Sequence, residues 1–265
     1  MTEILIALGV VAAIGLIAGI ILTVASHLMH VKEDEKAVKI RAELPGVNCG
    51  ACGYTGCDDY AKAISEGKAK TNLCIPGADA VAKNIADILG VKSEDVIEMM
   101  AYVHCNGTCE VTEKKAIYDG TKTCKAESLV YAGPSSCRFG CLGCGDCASI
   151  CPVNAICVKD GIARVNPNIC IGCGLCVNEC PKGIISLMPQ VSRVAVMCSS
   201  EDKGAAARKV CKNACIACKK CELSCPDGAI KVENNLARID YDKCTACGIC
   251  IEVCPTKCIH PVNIK

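Results

Sequence analysis

Four copies of one cysteine pattern constrain this chain more than any other feature. The pattern is C-x2-C-x2-C-x3-C followed by proline, and its copies begin at Cys141, Cys170, Cys215 and Cys244. Gaps of two residues let three thiolates of one loop reach three irons of a cubane cluster, and this spelling is typical of bacterial [4Fe–4S] ferredoxins. The pattern therefore predicts iron–sulfur chemistry in the C-terminal half.

The four motifs form a repeated pair. Residues 141–180 correspond to residues 215–254 with a constant offset of 74 residues. Between the paired motifs, AICVKDGIARVN and AIKVENNLARID each predict a β-hairpin whose two-residue turn tolerates positive φ. We therefore predict two tandem two-cluster modules, the first ferredoxin module (138–190) and the second ferredoxin module (210–265), joined by a linker over 191–209.

The ferredoxin pattern also predicts which cysteines share a cluster. In two-cluster ferredoxins the fourth cysteine of each motif binds the other cluster of the pair. The expected sets are Cys141, Cys144, Cys147 with Cys180; Cys170, Cys173, Cys176 with Cys151; Cys215, Cys218, Cys221 with Cys254; and Cys244, Cys247, Cys250 with Cys225. Because each cluster ties both halves of a module together, cluster and fold should be lost together.

A different four-cysteine group precedes these modules, in a region we name the four-cysteine domain (45–104). Its cysteines are Cys49, Cys52, Cys57 and Cys74. Helices are predicted over 58–66 and 78–89, each ended by a glycine. We interpret the region as a small helical [4Fe–4S] domain. The alternative is a four-thiolate zinc site, which the same two-residue spacing also serves.

Four further cysteines with irregular spacing lie in a predicted linker over 105–137. They are Cys105, Cys109, Cys124 and Cys137. The sequence thus predicts five [4Fe–4S] clusters, and six if this quartet binds one. Two alternatives stay open: inert buried thiols, or a cluster that draws instead on Cys198 or Cys211. Cys157 and Cys258 are predicted to be core thiols that behave as small hydrophobes.

The N-terminal segment predicts where the chain resides. The stretch from Ile4 to Ala25 has no charged residue, and a helix of that length covers the roughly 30 Å of bilayer hydrocarbon. No basic residue precedes it, which disfavours a cleaved secretory signal. We expect a single-pass anchor over 1–26 in the cell (inner) membrane, in contact with lipid, followed by a juxtamembrane linker over 27–44.

Basic residues after this stretch orient the rest of the chain. They are Lys32, Lys36, Lys39 and Arg41. The positive-inside bias therefore predicts that the soluble part lies on the cytoplasmic face. A reducing cytoplasm disfavours structural disulfides, so the cysteines indicate metal. The predicted fold class is α+β: one transmembrane helix, a small helical four-cysteine domain and two tandem ferredoxin modules.

Composition and missing motifs exclude other classes. With 29 basic and 28 acidic residues the net charge is +1, which argues against nucleic-acid binding. No G-x-G-x-x-G follows a predicted strand, so we expect no NAD or flavin to be bound by this chain. The four histidines are scattered and no catalytic constellation is present. His104, next to Cys105, is interpreted as structural or as a support for a neighbouring ligand, not as a ligand itself.

The order of parts resembles that of the B subunits of the membrane-bound Rnf complex. The most specific elements are the anchor joined to CGACGYTGC (49–57) and the linker SSEDKG (199–204) that leads to Cys211. The resemblance covers essentially the full chain. It departs at Cys144, because many relatives lack the second cysteine of that motif.

This resemblance implies an electron-transfer subunit of an ion-translocating ferredoxin:NAD oxidoreductase. Such a subunit accepts electrons from soluble reduced ferredoxin and relays them to membrane and peripheral partner subunits, with no catalytic residues of its own. The alternatives are an iron–sulfur subunit of another membrane oxidoreductase and a non-redox zinc–thiolate scaffold. A methyl-carrier-type module is suggested only by the four-cysteine domain.

Overall fold

The computed structural model describes residues 2–28, 34–192 and 194–262. Its helices are α1 (Thr2–Leu28), α2 (Glu35–Glu43), α3 (Cys57–Ser65), α4 (Ala78–Leu89), α5 (Cys124–Leu129), α6 (Asp146–Ser149), α7 (Leu175–Glu179), α8 (Gly204–Val210), α9 (Lys220–Leu223) and α10 (Ile249–Glu252), with a 3-10 turn at Ile75–Gly77. Its strands are β1 (Met99–Val103), β2 (Ile156–Lys159), β3 (Ile162–Val165), β4 (Ile185–Pro189), β5 (Val194–Val196), β6 (Ile230–Glu233), β7 (Leu236–Ile239) and β8 (Ile259–Pro261). Short helices and two-stranded sheets alternate along the chain, which confirms the predicted α+β content.

Helix α1 contains the uncharged stretch that the sequence assigns to a membrane anchor. Over the described residues, however, no helix combines the length and the apolar character that crossing a membrane requires.

Three helices pack together to form the four-cysteine domain. Residues 35–43, assigned by the sequence to a juxtamembrane linker, form α2, which is capped by the Asp34 carboxylate accepting from the Lys36 N–H at 3.0 Å. Ile40 of α2 is fully buried in one cluster with Tyr60 of α3 and Ile85 of α4. The linker prediction missed this helix because it has one buried apolar position rather than a periodic stripe.

Both predicted hairpins are confirmed. Strands β2 and β3 pair antiparallel, as do β6 and β7, with the same register in each module. The turn residues adopt positive φ: 55° at Asp160, 79° at Gly161, 50° at Asn234 and 63° at Asn235. The structure thus realises the repeat as two equivalent hairpins.

Each ferredoxin module gains a second sheet from a strand that precedes it. Strand β1 pairs with β4, placing Val103 opposite Ile185, and β5 pairs with β8, placing Val196 opposite Ile259. Ile185 and Ile259 are themselves related by the 74-residue offset. The two preceding strands are therefore structurally equivalent, although Val103 and Val196 are separated by 93 residues rather than by the 74-residue offset.

The cores of the modules are built from small aliphatic side chains and thiols. The chain has one phenylalanine and no tryptophan. Cys147 and Cys176 are buried among isoleucines, valines and alanines in the first module, and Cys221 and Cys258 are buried in the same way in the second. Groups bound by these thiols would therefore occupy the interior of the fold.

Candidate metal centres

The four-cysteine group is organised by the N-terminal turn of α3. The Asn48 side chain accepts a hydrogen bond from the Cys57 N–H at 2.8 Å, where α3 begins. The fully buried Tyr60 hydroxyl donates to Lys70 O at 2.7 Å and accepts from the Leu73 N–H at 3.1 Å, which fixes the loop before Cys74.

Three thiols of this group, Cys52, Cys57 and Cys74, pack in one core cluster. Burial raises the pKa of Cys74 to about 11, and the charges of Cys57, Cys49 and Cys52 raise it as well. A neutral thiol is thus favoured at Cys74 without metal, so binding a metal there would release a proton.

In the first ferredoxin module, Cys151, Cys170 and Cys176 belong to one core cluster. Burial raises the pKa of Cys176 to about 12, and the charges of Cys170, Cys173 and Cys151 raise it further. The sulfurs also receive backbone hydrogen bonds: the Ala101 N–H donates to Cys170 Sγ and the Ala155 N–H to Cys151 Sγ, both at 3.3 Å. Strand β1 thus contributes directly to this site through Ala101.

The other set in this module includes a cysteine that the sequence placed elsewhere. The lining of its cavity includes Cys141, Cys147, Cys180 and Cys124, the last taken from the predicted linker quartet. Cys144 is not part of that lining, but its thiol lies beside that of Cys124; burial and then the charge of Cys124 raise the pKa of Cys144. Four thiols therefore line this cavity and a fifth lies beside one of them, and no sequence pattern links Cys124 to the others.

The second ferredoxin module has two thiol-lined cavities. Cys225, Cys244, Cys247 and Cys250 line one cavity. Cys215, Cys218, Cys221 and Cys254 line the other, together with Cys258. The Cys258 thiol lies 3.6 Å from Cys254 Sγ, and its hydrogen bond lowers the pKa of Cys254 to about 4. Cys258 is buried, as predicted for a core thiol.

The linker quartet is not brought together. Cys105 and Cys137 line one cavity with Cys198 and Cys211, which we name the inter-module cavity. Cys124 lies at the Cys141 site, and Cys109 is exposed, with its N–H donating to Asp160 O at 3.0 Å. The repeat could have indicated part of this grouping, because Cys137 and Cys211 are related by the same 74-residue offset.

Cys157 is exposed, so its prediction as a core thiol is wrong. In strand β2 successive side chains point to opposite faces. Ile156 takes the buried face, which leaves Cys157 on the solvent side. Strand alternation in the sequence already contained this signal.

The donor chemistry at these sites fits iron–sulfur clusters. Their lining side chains offer sulfur, and backbone N–H groups donate to several sulfurs at 3.3–3.4 Å, as at Cys141, Cys151 and Cys170. Hydrogen bonds to cluster sulfurs are a principal means of setting cluster potential. Within the described ranges, no three His, Cys, Asp or Glu side chains are grouped as they would be around a single metal ion.

His104 serves the structure. Its Nδ1 bonds to Val196 O at 2.9 Å and its Nε2 to Ser186 Oγ at 2.6 Å, so both ring nitrogens have partners, although His104 is part of the lining of the inter-module cavity. Burial lowers the pKa of His104, which keeps the ring neutral near pH 7.

Sequence profiles match the chain at the sites described above. An Fe–S cluster profile matches residues 44–76. Profiles of the 4Fe-4S dicluster domain match residues 140–184 and 208–260, and a third matches 169–230 across the linker. The matches confirm several 4Fe–4S domains in this chain.

Curated relatives match nearly the whole chain. The B subunit of the Na(+)-translocating ferredoxin:NAD(+) oxidoreductase complex of Acetobacterium woodii is 42% identical, over 98% of this chain and 78% of the relative. The proton-translocating counterpart of Clostridium ljungdahlii is 40% identical, over 99% and 94%. The B subunit of the ion-translocating oxidoreductase complex of Methanosarcina acetivorans is 38% identical, over 96% of both chains. The chain therefore belongs to the family of B subunits of ion-translocating ferredoxin:NAD oxidoreductase complexes, the Rnf family.

Proposed function

We propose that this chain is the iron–sulfur electron-transfer subunit of an Rnf-type complex, accepting electrons from reduced ferredoxin and relaying them to partner subunits. Its family and its 4Fe–4S domains support this role. The chain acts as part of a translocating oxidoreductase and supplies electron transfer rather than bond chemistry.

The observation that carries this proposal is the contact between neighbouring thiol sites. A Cβ built on Gly172, in the loop between Cys170 and Cys173, would lie 3.0 Å from Ile75 Cγ2, next to Cys74, so the four-cysteine domain adjoins this loop. Cys147 and Cys176, which belong to the two sites of the first module, are buried in one cluster. Sites in such close succession suit the passage of single electrons along one chain.

The cluster ligands are proposed from the motifs and their surroundings. Bound clusters would each take up and release one electron. The first site uses Cys49, Cys52, Cys57 and Cys74, and the four ferredoxin sites use the crossover sets predicted from the sequence. At the Cys141 site, Cys124 and Cys144 lie side by side, and either thiol can serve the remaining iron.

Attachment to the membrane and to other subunits completes the proposal. Relatives are named as subunits of multi-subunit translocating complexes, which supports partner subunits and a membrane-associated location. We propose that residues 1–26 form a single-pass anchor, since Ile4 to Ala25 is uncharged and Ile14, Ile17 and Ile21 are exposed on α1. We propose the domain division predicted from the sequence with three changes: α2 is added to the four-cysteine domain, and β1 and β5 join the first and second ferredoxin modules.

Anaerobic reduction by ferredoxin tests the function. Chemically reduced ferredoxin, freed of excess reductant, is titrated into the purified full chain while visible absorbance is followed. We expect bleaching of the chain's absorbance and reoxidation when an acceptor is added, with a Cys157→Ser control behaving as wild type. A chain that binds zinc, or that is not reduced, would contradict the proposal. Co-purifying subunits from another oxidoreductase would favour the alternative complex.

A further inference from the structure

We propose that Cys105, Cys137, Cys198 and Cys211 bind a further [4Fe–4S] cluster, held jointly by the two ferredoxin modules across the inter-module cavity. This set replaces two members of the quartet predicted from the sequence. The binding site is argued from its own geometry, whereas its role in electron relay rests on the proposed function.

The four sulfurs converge on one cavity. A methyl group placed on Gly107 would lie 3.6 Å from Cys105 Sγ and 3.7 Å from Cys211 Sγ, so both sulfurs face the same glycine. Cys137 and Cys198 line the same cavity as Cys105 and Cys211. Cys198 also packs against the buried cluster that contains Cys211. All four thiols thus border one cavity.

The four positions are related by the same symmetry that relates the modules. Cys137 precedes Cys141 by four residues, and Cys211 precedes Cys215 by four. Cys105 follows Val103 of β1 by two residues, and Cys198 follows Val196 of β5 by two. Because β1 and β5 pair with equivalent strands, each module supplies one cysteine after its preceding strand and one before its first motif. Two equivalent pairs that line one cavity make up a four-thiolate set.

Backbone donors surround these sulfurs as they do at the motif sites. Cys105 Sγ accepts from the N–H groups of Gly107 and Cys141, both at 3.4 Å. Cys198 Sγ accepts from Ser200 at 3.4 Å and from Cys215 at 3.3 Å. The donors again occupy equivalent places: the second residue after the cysteine, and the first motif cysteine of its module. Such donors favour an anionic, metal-bound sulfur.

The cavity also contains a buried hydroxyl group that could donate a hydrogen bond to the cluster. Thr112 Oγ1 lines the cavity and has no hydrogen-bond partner among the described residues, although Thr112 is only 9% exposed. An unpaired buried hydroxyl normally costs about 1–3 kcal/mol. Donation from Thr112 to a sulfur of the bound group would satisfy it.

The inter-module cavity lies beside polar contacts that join the two parts of the chain. Ser199 Oγ donates to His104 O at 2.9 Å, and the Arg138 guanidinium pairs with Asp202 at 2.8 Å. The same thiols adjoin both neighbouring sites, since Cys105 accepts from Cys141 and Cys198 accepts from Cys215. A cluster here would connect the two modules into one uninterrupted series.

Iron analysis of paired variants tests the site. The full chain is purified anaerobically as wild type, as Cys137→Ala/Cys211→Ala, and as the control Cys109→Ser/Cys157→Ser, which alters two exposed thiols. We expect the first pair to lose about four irons and the control to lose none. In the reduced first pair, the number of paramagnetic clusters per chain should be lower than in wild type by one, and the signals of the other clusters should be unchanged. Unchanged iron in the first pair would overturn the inference.

A second variant keeps the test informative if the double variant fails to fold. Thr112→Val removes the hydroxyl and leaves every ligand in place. We expect the midpoint potential of one spectroscopic species to become more negative, because a hydrogen bond to sulfur stabilises the reduced state. No shift in any species would contradict the site. Ferredoxin that fails to reduce a chain with all clusters present would instead overturn the proposed function and leave the site intact.

Discussion

Gly172 is the residue where the four-cysteine domain, strand β1 and a cluster loop meet. It lies between Cys170 and Cys173 with φ +65°, and a Cβ there would approach Met99 O of β1 closer than 3.0 Å. The position 74 residues later is Ala246, with φ +59°. Alanine can therefore adopt this backbone conformation in the second module. At Gly172 an alanine side chain would in addition clash with the neighbouring strand β1.

The expected cost of Gly172→Ala follows from these contacts. A left-handed alanine costs about 1–2 kcal/mol, and forcing extra volume against a fixed backbone costs about 1–3 kcal/mol. Reduced freedom of the unfolded chain offsets about 0.4–1 kcal/mol. The net destabilisation is about 2–4 kcal/mol, which increases local opening roughly 30- to 1,000-fold.

Loss of iron to a chelator under anaerobic conditions measures this opening. Gly172→Ala should release the iron of its module much faster than wild type. Gly248→Ala is the matched control, because Gly248 has φ +82° and no atom within 4 Å of a built Cβ. It carries only the backbone cost of about 1–2 kcal/mol, reduced by the same offset of about 0.4–1 kcal/mol from the unfolded chain. Equal rates for the two variants would refute the role assigned to Met99.

Three further perturbations have definite expected outcomes. Tyr60→Phe leaves Lys70 O and the Leu73 N–H without their buried partner, so we expect about 1–3 kcal/mol of destabilisation, measured by circular dichroism. In a chelation assay, the four-cysteine domain should then be the first to lose its iron. Cys124→Ala and Cys144→Ala should each retain full iron, because the neighbouring thiol substitutes, whereas the double variant should lose about four irons; loss in either single variant would contradict this. Complete removal of iron should unfold the strands of both modules together, because the buried thiols belong to the module cores. A metal-free chain that keeps its native strand content would argue against this.

Local patterns predicted the features that depend on neighbouring residues. The turns at Asp160-Gly161 and Asn234-Asn235 lie between matched apolar runs, so both hairpins could be predicted. Helix α4 was predicted with its observed bounds, because its amphipathic pattern ends at Gly90, which adopts φ +69°.

Features that depend on distant pairing could not be predicted in the same way. Strand β1 finds its partner β4 more than 80 residues away, and its apolar sequence MMAYV does not specify that register. Cys105 and Cys198 become equivalent only through such pairing. Cys124 reaches the Cys141 site through helix α5, and the equivalent segment between Cys198 and Cys211 has no cysteine, so no repeat indicated it.

Iron and acid-labile sulfide per chain, measured with zinc on the anaerobically purified protein, test the central claim most directly. A series of six cubane clusters predicts about 24 irons and an equal amount of sulfide, with negligible zinc. A value of about 20 irons would show that no cluster is bound in the inter-module cavity. Zinc with little iron would contradict the account of this chain as an electron carrier.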